Sequence, residues 1–294
     1  MLNKTSKSLF SHHYLTHRLP DHPEWRENAG PTLTALRQLY QAQKERLPLY
    51  NEDQTEEEFI LPLLREVLGF AGAYTVEAGI RRQGRVQRPD YALFANAAQK
   101  EEADRHLGDE RAFYARAVAV ADAKYWQRPL SQKRTDERDA WTNSNPSFQI
   151  VNYLVATGVN WGILTNGRLW RLYSGQVSGT ATEFYEVDLF DILQPNPDQP
   201  VELLDQFKRW WLFFRRAAFV PDSQGHSFLQ RVQAGSVAYA RVVGDQLKER
   251  VFDQIYPLLA GGFVADRAWH GRDCQSESAR RQIQEATLSL LYKL

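Results

Sequence analysis

Three residues in the middle of the chain have the types and spacing of a hydrolytic metal site. Asp122 and Lys124 stand two apart in RAVAVADAKYW (116–126), and Asp90 follows a proline in RPDYALF (88–94). Carboxylate oxygens suit Mg²⁺, which keeps further positions for water and phosphate. Bound Mg²⁺ lowers the pKa of a water molecule and neutralises phosphate charge, while a lysine can orient or help deprotonate that water, or stabilise the transition state. We therefore expect Asp90 and Asp122 to bind one Mg²⁺ beside Lys124.

A strand must carry Asp122 and Lys124 for this site to form. Side chains alternate between the two faces of a strand, so the even-numbered residues of 118–124 share one face and the alanines share the other. Burying charges costs several kcal/mol unless they are paired or bind a metal. Pro89 is allowed at the start of a strand, and a neighbouring strand there would bring Asp90 close to Asp122. The alternative is a surface salt bridge and an ordinary Pro-Asp turn.

The rest of the chain predicts a helix pair, a mixed α/β region and a helical tail. One helix covers 31–47, a second starts near Gln54–Thr55, and a third covers 146–157 with Gly158 as its cap. Asn166-Gly167 between two apolar runs predicts a β-hairpin. Prolines at 195, 197 and 200 mark a boundary. We predict an N-terminal leader and helix at 1–50, an α/β domain at 51–195 and a helical domain at 196–294.

Composition sets only broad limits on function. The 36 basic and 36 acidic side chains give a formal net charge of +0, so nucleic-acid binding would have to rest on a local patch. The single cysteine, Cys274, excludes a disulfide framework. We find neither a secretory signal nor an apolar run of about 20 residues, so we expect a soluble cytoplasmic protein. The sequence contains neither a P-loop nor a G-x-S-x-G elbow.

Further blocks give the chain a resemblance to a nuclease family. Gln149 and Tyr153 stand four apart and share one helix face. Two more blocks are QTEEEFILPLLREVLGF (54–70) and WGILTNGRLWRLY (161–173). With RPDYALF and VADAKYW, they resemble the PD-(D/E)XK nucleases found at the N-terminus of type IIG restriction–modification enzymes and in the motor subunits of type I restriction enzymes. The resemblance covers roughly residues 50–195.

The resemblance implies a fold and a catalytic set. The fold is an α/β restriction-endonuclease-like mixed sheet flanked by helices, followed by an all-helical connector domain. Asp90 and Asp122 would be metal ligands and Lys124 the catalytic lysine. A glutamate of the opening helix often assists the metal in this superfamily, and Glu58 is the expected residue, with Glu57 as the alternative. The chain departs from the commoner pattern by having Asp122 where the family more often has Glu.

The resemblance also implies contacts with double-stranded DNA. Gln149 and Tyr153 would contact DNA or align the active site. Arg85 and Arg88 could bind phosphates beside the metal site, although a solvated basic turn is an equally good interpretation.

The expected function is that of a type IIG-like site-specific endonuclease within a larger restriction–modification or phage-defence enzyme. The last helix ends in LSLLYKL (288–294) with no following element to cover its apolar face. We therefore expect a methyltransferase that uses S-adenosylmethionine and a target-recognition domain to follow, in the same polypeptide or complex. The alternative is a nuclease-like module that binds DNA or serves as a scaffold without cleaving it.

Overall fold

A computed structural model describes residues 7–76, 88–131, 145–178, 180–194 and 200–291 of the chain. Within these ranges the protein is mixed α/β, with a six-strand mixed sheet and helices followed by a long helical C-terminal region. The chain divides into two compact units, Met1–Gly235 and Ser236–Leu294. None of the helices in the described ranges is long and apolar enough to cross a membrane.

The sheet places one parallel strand pair at its centre. The described strands are β1 (Lys7–Ser8), β2 (Tyr74–Val76), β3 (Tyr91–Phe94), β4 (Ala117–Ala123), β5 (Trp161–Thr165), β6 (Leu169–Ser174) and β7 (Glu183–Asp188). Six of the strands run in the order β7-β6-β5-β4-β3-β2, and the short β1 adds a seventh strand at the edge, parallel to β7. β4 and β5 are parallel, whereas β2–β3, β3–β4, β5–β6 and β6–β7 are antiparallel.

Helices surround the sheet in the first unit and make up the second. The first unit contains α1 (His12–His17), α2 (Gly30–Gln43), α3 (Glu52–Thr55), α4 (Ala97–Asp104), α5 (Glu110–Tyr114), α6 (Pro146–Thr157), α7 (Phe190–Leu193) and α8 (Pro200–Phe214). The π-helical turns Glu56–Ile60 and Leu63–Val67 continue from α3. After α9 (Phe228–Glu249) come the π-helical turn Arg250–Ile255, α10 (Tyr256–Trp269) and α11 (Glu277–Leu291). In the second unit α10 packs against α11.

Several elements that the sequence predicts are confirmed. The helix expected at 146–157 is α6, and Gly158 ends it in the left-handed conformation with φ 71°. The Asn166-Gly167 pair joins the antiparallel strands β5 and β6, and Gly167 has φ 84°. The strand expected to begin at Pro89 is β3, Tyr91–Phe94, and residues 77–87 before it lie outside the described residues.

The connection from β4 to β5 runs through α6, which covers one face of the sheet. Ile150, Tyr153 and Leu154 of α6 pack into a buried cluster with Val120 of β4. Gly162 of β5 lies directly beneath this helix, because a Cβ there would be 2.9 Å from Cγ1 of Ile150. Close packing of α6 on the sheet therefore requires glycine at this position.

An aromatic layer packs on the sheet beneath α8. Trp170 of β6 and Trp210 of α8 are fully buried, and their rings meet edge to face with centroids 5.4 Å apart. Phe214 packs on the same Trp170 ring at 5.5 Å. These tryptophans belong to the core, and they anchor α8 to the first unit.

The N-terminal segment 8–27 packs against residues far along the chain. Glu27 forms a bidentate ion pair with Arg215, and Glu24 pairs with Arg231. The sequence indicated only a polar leader here, because no single periodicity links the buried positions. The buried apolar residues of this segment are Leu9, Phe10, Tyr14, Leu15 and Leu19.

Replacing Gly162 by alanine tests the packing of α6 on β5. We expect Gly162→Ala to lower the free energy of unfolding by roughly 1–3 kcal/mol, because the added methyl group must push Ile150 aside. Denaturant unfolding followed by circular dichroism measures the change. Gly108→Ala is the matched control, since a Cβ at Gly108 meets no atom within 4 Å. Equal stability of both variants and the parent would contradict the packing.

Candidate active site

Strand register brings Asp90 and Asp122 to the same place. In the antiparallel pair β3–β4, Tyr91 lies opposite Ala121, so Asp90, one residue before β3, faces the position of Asp122. Oδ2 of Asp90 accepts a hydrogen bond of 2.7 Å from the amide of Ala123. Pairing with β3 therefore positions the backbone of both aspartates.

The ammonium group of Lys124 lies among the carboxylates. Its Nζ is 2.8 Å from Oδ2 of Asp122 and 3.9 Å from Oδ2 of Asp90. It also donates to Oε1 of Glu52 at 3.2 Å and to the carbonyl of Ala123 at 2.6 Å. The structure thus brings together the three residues at the centre of the sequence prediction and adds Glu52 to them.

Asp122 is the most buried member of this cluster. Only 2% of the residue is exposed, and Oδ2 has no hydrogen-bond partner among the described residues. The 2.8 Å approach of Lys124 is an ion pair without hydrogen-bond geometry. Burial raises the pKa of Asp122, although Lys124 acts in the opposite direction. Burial, followed by the charge of Asp122, likewise raises the pKa of Asp90.

Two opposing effects act on the pKa of the Lys124 ammonium group. Burial by itself lowers the pKa of its ammonium group. The three carboxylates of Asp122, Asp90 and Glu52 outweigh this effect and raise the pKa above its ordinary value. Lys124 is therefore held in its charged form beside these carboxylates, and its ammonium donates hydrogen bonds to Glu52 and to the carbonyl of Ala123.

Glu52 and Glu56 supply the helix carboxylates of the cluster, in place of the expected Glu58. Glu58 is exposed, and its Oε2 accepts from Nε2 of Gln43 at 3.4 Å. Glu57, the alternative, is also exposed. Glu52 contacts Lys124 directly, and Glu56 lies near enough to Asp90 for that carboxylate to raise its pKa. This corrects the position of the glutamate, and its role remains a prediction.

The correction has a physical origin in how the helix begins. Asn51 and Gln54 form a capping box, in which each side chain accepts from the other residue's amide at 2.8 and 3.2 Å. The helix therefore starts at Glu52 and not near Gln54–Thr55. Residues 52 and 56 are four apart and share one face. The N-x-x-Q pattern was the signal in the sequence that could have identified them.

Glu56 is hydrogen-bonded to β3, the strand that pairs with β4. The hydroxyl of Tyr91 donates to Oε2 of Glu56 at 2.9 Å. Burial and then the charge of Asp90 raise the pKa of Glu56 to about 7. The Glu56 carboxyl group with this pKa gains or loses its proton near neutral pH.

The remaining candidate residues differ in how the structure places them. Tyr153 is buried, and its pKa is raised first by burial and then by the charges of Asp122 and Asp90. Gln149, one turn earlier on α6, has a buried Oε1 with no hydrogen-bond partner among the described residues. Arg88 is partly buried, and its charge lowers the pKa of Tyr114, which burial raises. Arg85 lies outside the described residues.

The donor set fits a divalent cation by chemistry and by charge. Asp90, Asp122 and Glu52 surround one ammonium, which leaves two negative charges unbalanced when all three are ionised. Carboxylate oxygens are suitable ligands, and Oδ2 of Asp122 lacks a hydrogen-bond donor. Among the described residues, however, no three His, Cys, Asp or Glu side chains are already arranged around one ion, because Lys124 lies between them.

Comparison with protein-family models, with curated proteins and with solved structures found no match to this chain. Function is therefore inferred from the geometry of the cluster and from the sequence blocks that position it.

The raised pKa of Glu56 predicts a pH dependence of stability. Its pKa in the folded protein, about 7, exceeds the ordinary value of 4.5, so its stabilising contribution is complete below pH 4.5 and is lost as the pH rises through 7. Glu56→Gln removes this loss. Between pH 5 and pH 8 we expect the unfolding free energy of Glu56→Gln to rise relative to that of the parent. Outside this window the difference between the two should not change with pH.

Glu57→Gln is the control for this measurement, because Glu57 stands next to Glu56 but is exposed. The difference between Glu57→Gln and the parent should not change with pH. A Glu56→Gln difference that is equally flat would show that the carboxyl titrates as an ordinary glutamate.

Proposed function

We propose that residues 51–195 form a PD-(D/E)XK endonuclease domain that hydrolyses phosphodiester bonds of double-stranded DNA with Mg²⁺. The observation that carries this proposal is the position of the Lys124 ammonium, 2.8 Å from Asp122 and 3.9 Å from Asp90. The order of elements supports it, because α3 with its π-helical turns, β3, β4, α6 and β5 follow one another in the chain and carry the matching sequence blocks. The fold proposed is thus the mixed restriction-endonuclease-like sheet flanked by helices.

Each residue of the cluster has a part in the proposed reaction. Asp90 and Asp122 would hold the cation, and Glu52 or Glu56 would add a third negative charge near it. Mg²⁺, when bound, supplies a water of lowered pKa and balances charge on the phosphate. Lys124, kept protonated by its neighbours, would donate to a phosphate oxygen or orient the attacking water. Tyr153 would align the buried side of the site.

Gln149 supports the proposed contact with DNA. Its Oε1 lacks a partner within the described part of the chain, and a buried amide oxygen without a donor costs roughly 1–3 kcal/mol. Because that oxygen is shielded from solvent, a nucleotide amino group would supply the donor only after the side chains that cover it have moved. Methyltransferase and target-recognition partners, with S-adenosylmethionine as their cofactor, belong to the same proposal and rest on the resemblance alone.

The alternative function is a module that binds DNA or a partner without cleaving it. The intact carboxylate cluster favours cleavage, because a scaffold gains nothing from three carboxylates placed around one lysine, with Asp122 buried among them. Fluorescence anisotropy with a labelled duplex, measured beside a nicking assay, separates the two. DNA binding that is equal with and without Mg²⁺, together with no nicking, would favour the alternative.

Two substitutions test the proposed reaction. We expect Asp122→Asn and Lys124→Met each to reduce Mg²⁺-dependent nicking of supercoiled plasmid DNA at least about a hundredfold, because each removes a charge from the reacting site. The matched control pair is Asp104→Asn and Lys100→Met, which breaks a 2.6 Å surface salt bridge on α4. These control variants should nick DNA as the parent does.

Stability must be measured on the same variants. Removing one member of a buried ion pair can cost about 3–5 kcal/mol, so the double variant Asp122→Asn/Lys124→Met, which removes both charges, serves as the folded reference. Nicking by the double variant, or nicking by the parent in excess chelator, would contradict the proposal.

A further inference from the structure

Glu52 stands apart from the other carboxylates near Lys124. Asp90 and Asp122 are on adjacent strands, whereas Glu52 is in the first turn of α3. Its side chain is 42% exposed, against 25% for Asp90 and 2% for Asp122. Lys124 therefore has a deep partner on the sheet and a shallow partner on the helix, and it contacts both.

The deep position of the ammonium conflicts with cation binding. Lys124 Nζ lies 2.8 Å from Oδ2 of Asp122, the buried oxygen that has no hydrogen-bond partner among the described residues. A divalent ion ligated by that oxygen would sit about 2.0–2.6 Å from it. Two positive groups cannot share this oxygen at such distances, because their repulsion is strong where water is excluded. The ammonium must therefore move away from Asp122 when an ion binds.

Glu52 offers the ammonium a second counter-charge. The contact from Nζ to Oε1 of Glu52 is already 3.2 Å, with hydrogen-bond geometry. Moving toward Glu52 would leave Lys124 paired and near the site, whereas losing all carboxylate contact would leave a buried charge without a partner. The 2.6 Å hydrogen bond to the carbonyl of Ala123 keeps the ammonium on β4.

We propose that Glu52 is a positioning residue, which holds the Lys124 ammonium on the helix side of the site so that a divalent cation can take the oxygens of Asp90 and Asp122. This inference rests on the proposed function. It assigns Glu52 an action through Lys124, not direct ligation of the ion, and it makes Lys124 an internal cation that competes with the divalent one.

A double-mutant cycle on Mn²⁺ binding tests this role. Mn²⁺ is the probe, and the electron paramagnetic resonance signal of the free ion reports how much is bound. We expect Glu52→Gln to weaken binding about tenfold, because the ammonium then stays on Asp122. In a Lys124→Met background the same substitution should change binding less than about twofold, because the competing charge is gone. Lys124→Met alone should bind Mn²⁺ more tightly than the parent.

Asp53→Asn is the matched control. Asp53 is in the same first turn of α3 and is exposed, so its replacement removes the same charge from the same helix end. It should leave Mn²⁺ binding within about twofold of the parent. If Glu52→Gln does not fold, Glu52→Asp keeps the charge but shortens the side chain, and it should weaken binding only when Lys124 is present.

The outcomes separate this inference from the proposed function. Equal weakening by Glu52→Gln in both backgrounds would mean that Glu52 ligates the ion, and no weakening in either would mean that it has no role; both overturn the inference. If the parent binds no Mn²⁺, or if Asp122→Asn binds it as the parent does, the proposed function itself fails.

Discussion

Charge balance around Lys124 is the constraint on which the arrangement of α3, β3 and β4 depends. One ammonium is surrounded by carboxylates from three separate elements, namely Asp90 before β3, Asp122 on β4 and Glu52 on α3. Each carboxylate would be costly to bury alone, and the neighbouring carboxylates add to that cost while the charge of Lys124 offsets part of it. The arrangement therefore requires α3, β3 and β4 to be held in one relative position, and this is what the packing of the first unit provides.

The mixed sheet is the part of the fold that makes this possible. An antiparallel partner brings the start of β3 beside the end of β4, so that a residue before one strand meets a residue near the end of the other. The parallel partner β5 requires a crossover, and α6 supplies both that crossover and Tyr153 next to the aspartates. Gly162 allows the helix to lie close enough for this contact.

The sequence predicted the elements that have a strong local pattern. Alternation identified β4 and hence the shared face of Asp122 and Lys124, and the Asn166-Gly167 pair identified the hairpin. Glu58 was expected in the cluster, whereas Glu52 and Glu56 lie there, because the start of α3 depends on a capping box. The continuation of this helix is π-helical around Pro62, which lacks an amide donor. The packing of segment 8–27 was missed, because its partners are side chains about two hundred residues away.

The ion pairs of Glu27 with Arg215 and of Glu24 with Arg231 have a consequence for synthesis on the ribosome. Their partners are separated by 188 and 207 positions, so the N-terminal segment emerges long before the residues that bury it exist. At about 5–20 residues per second, the interval is on the order of ten to forty seconds. During that time the native contacts that bury the apolar side chains of this segment cannot form.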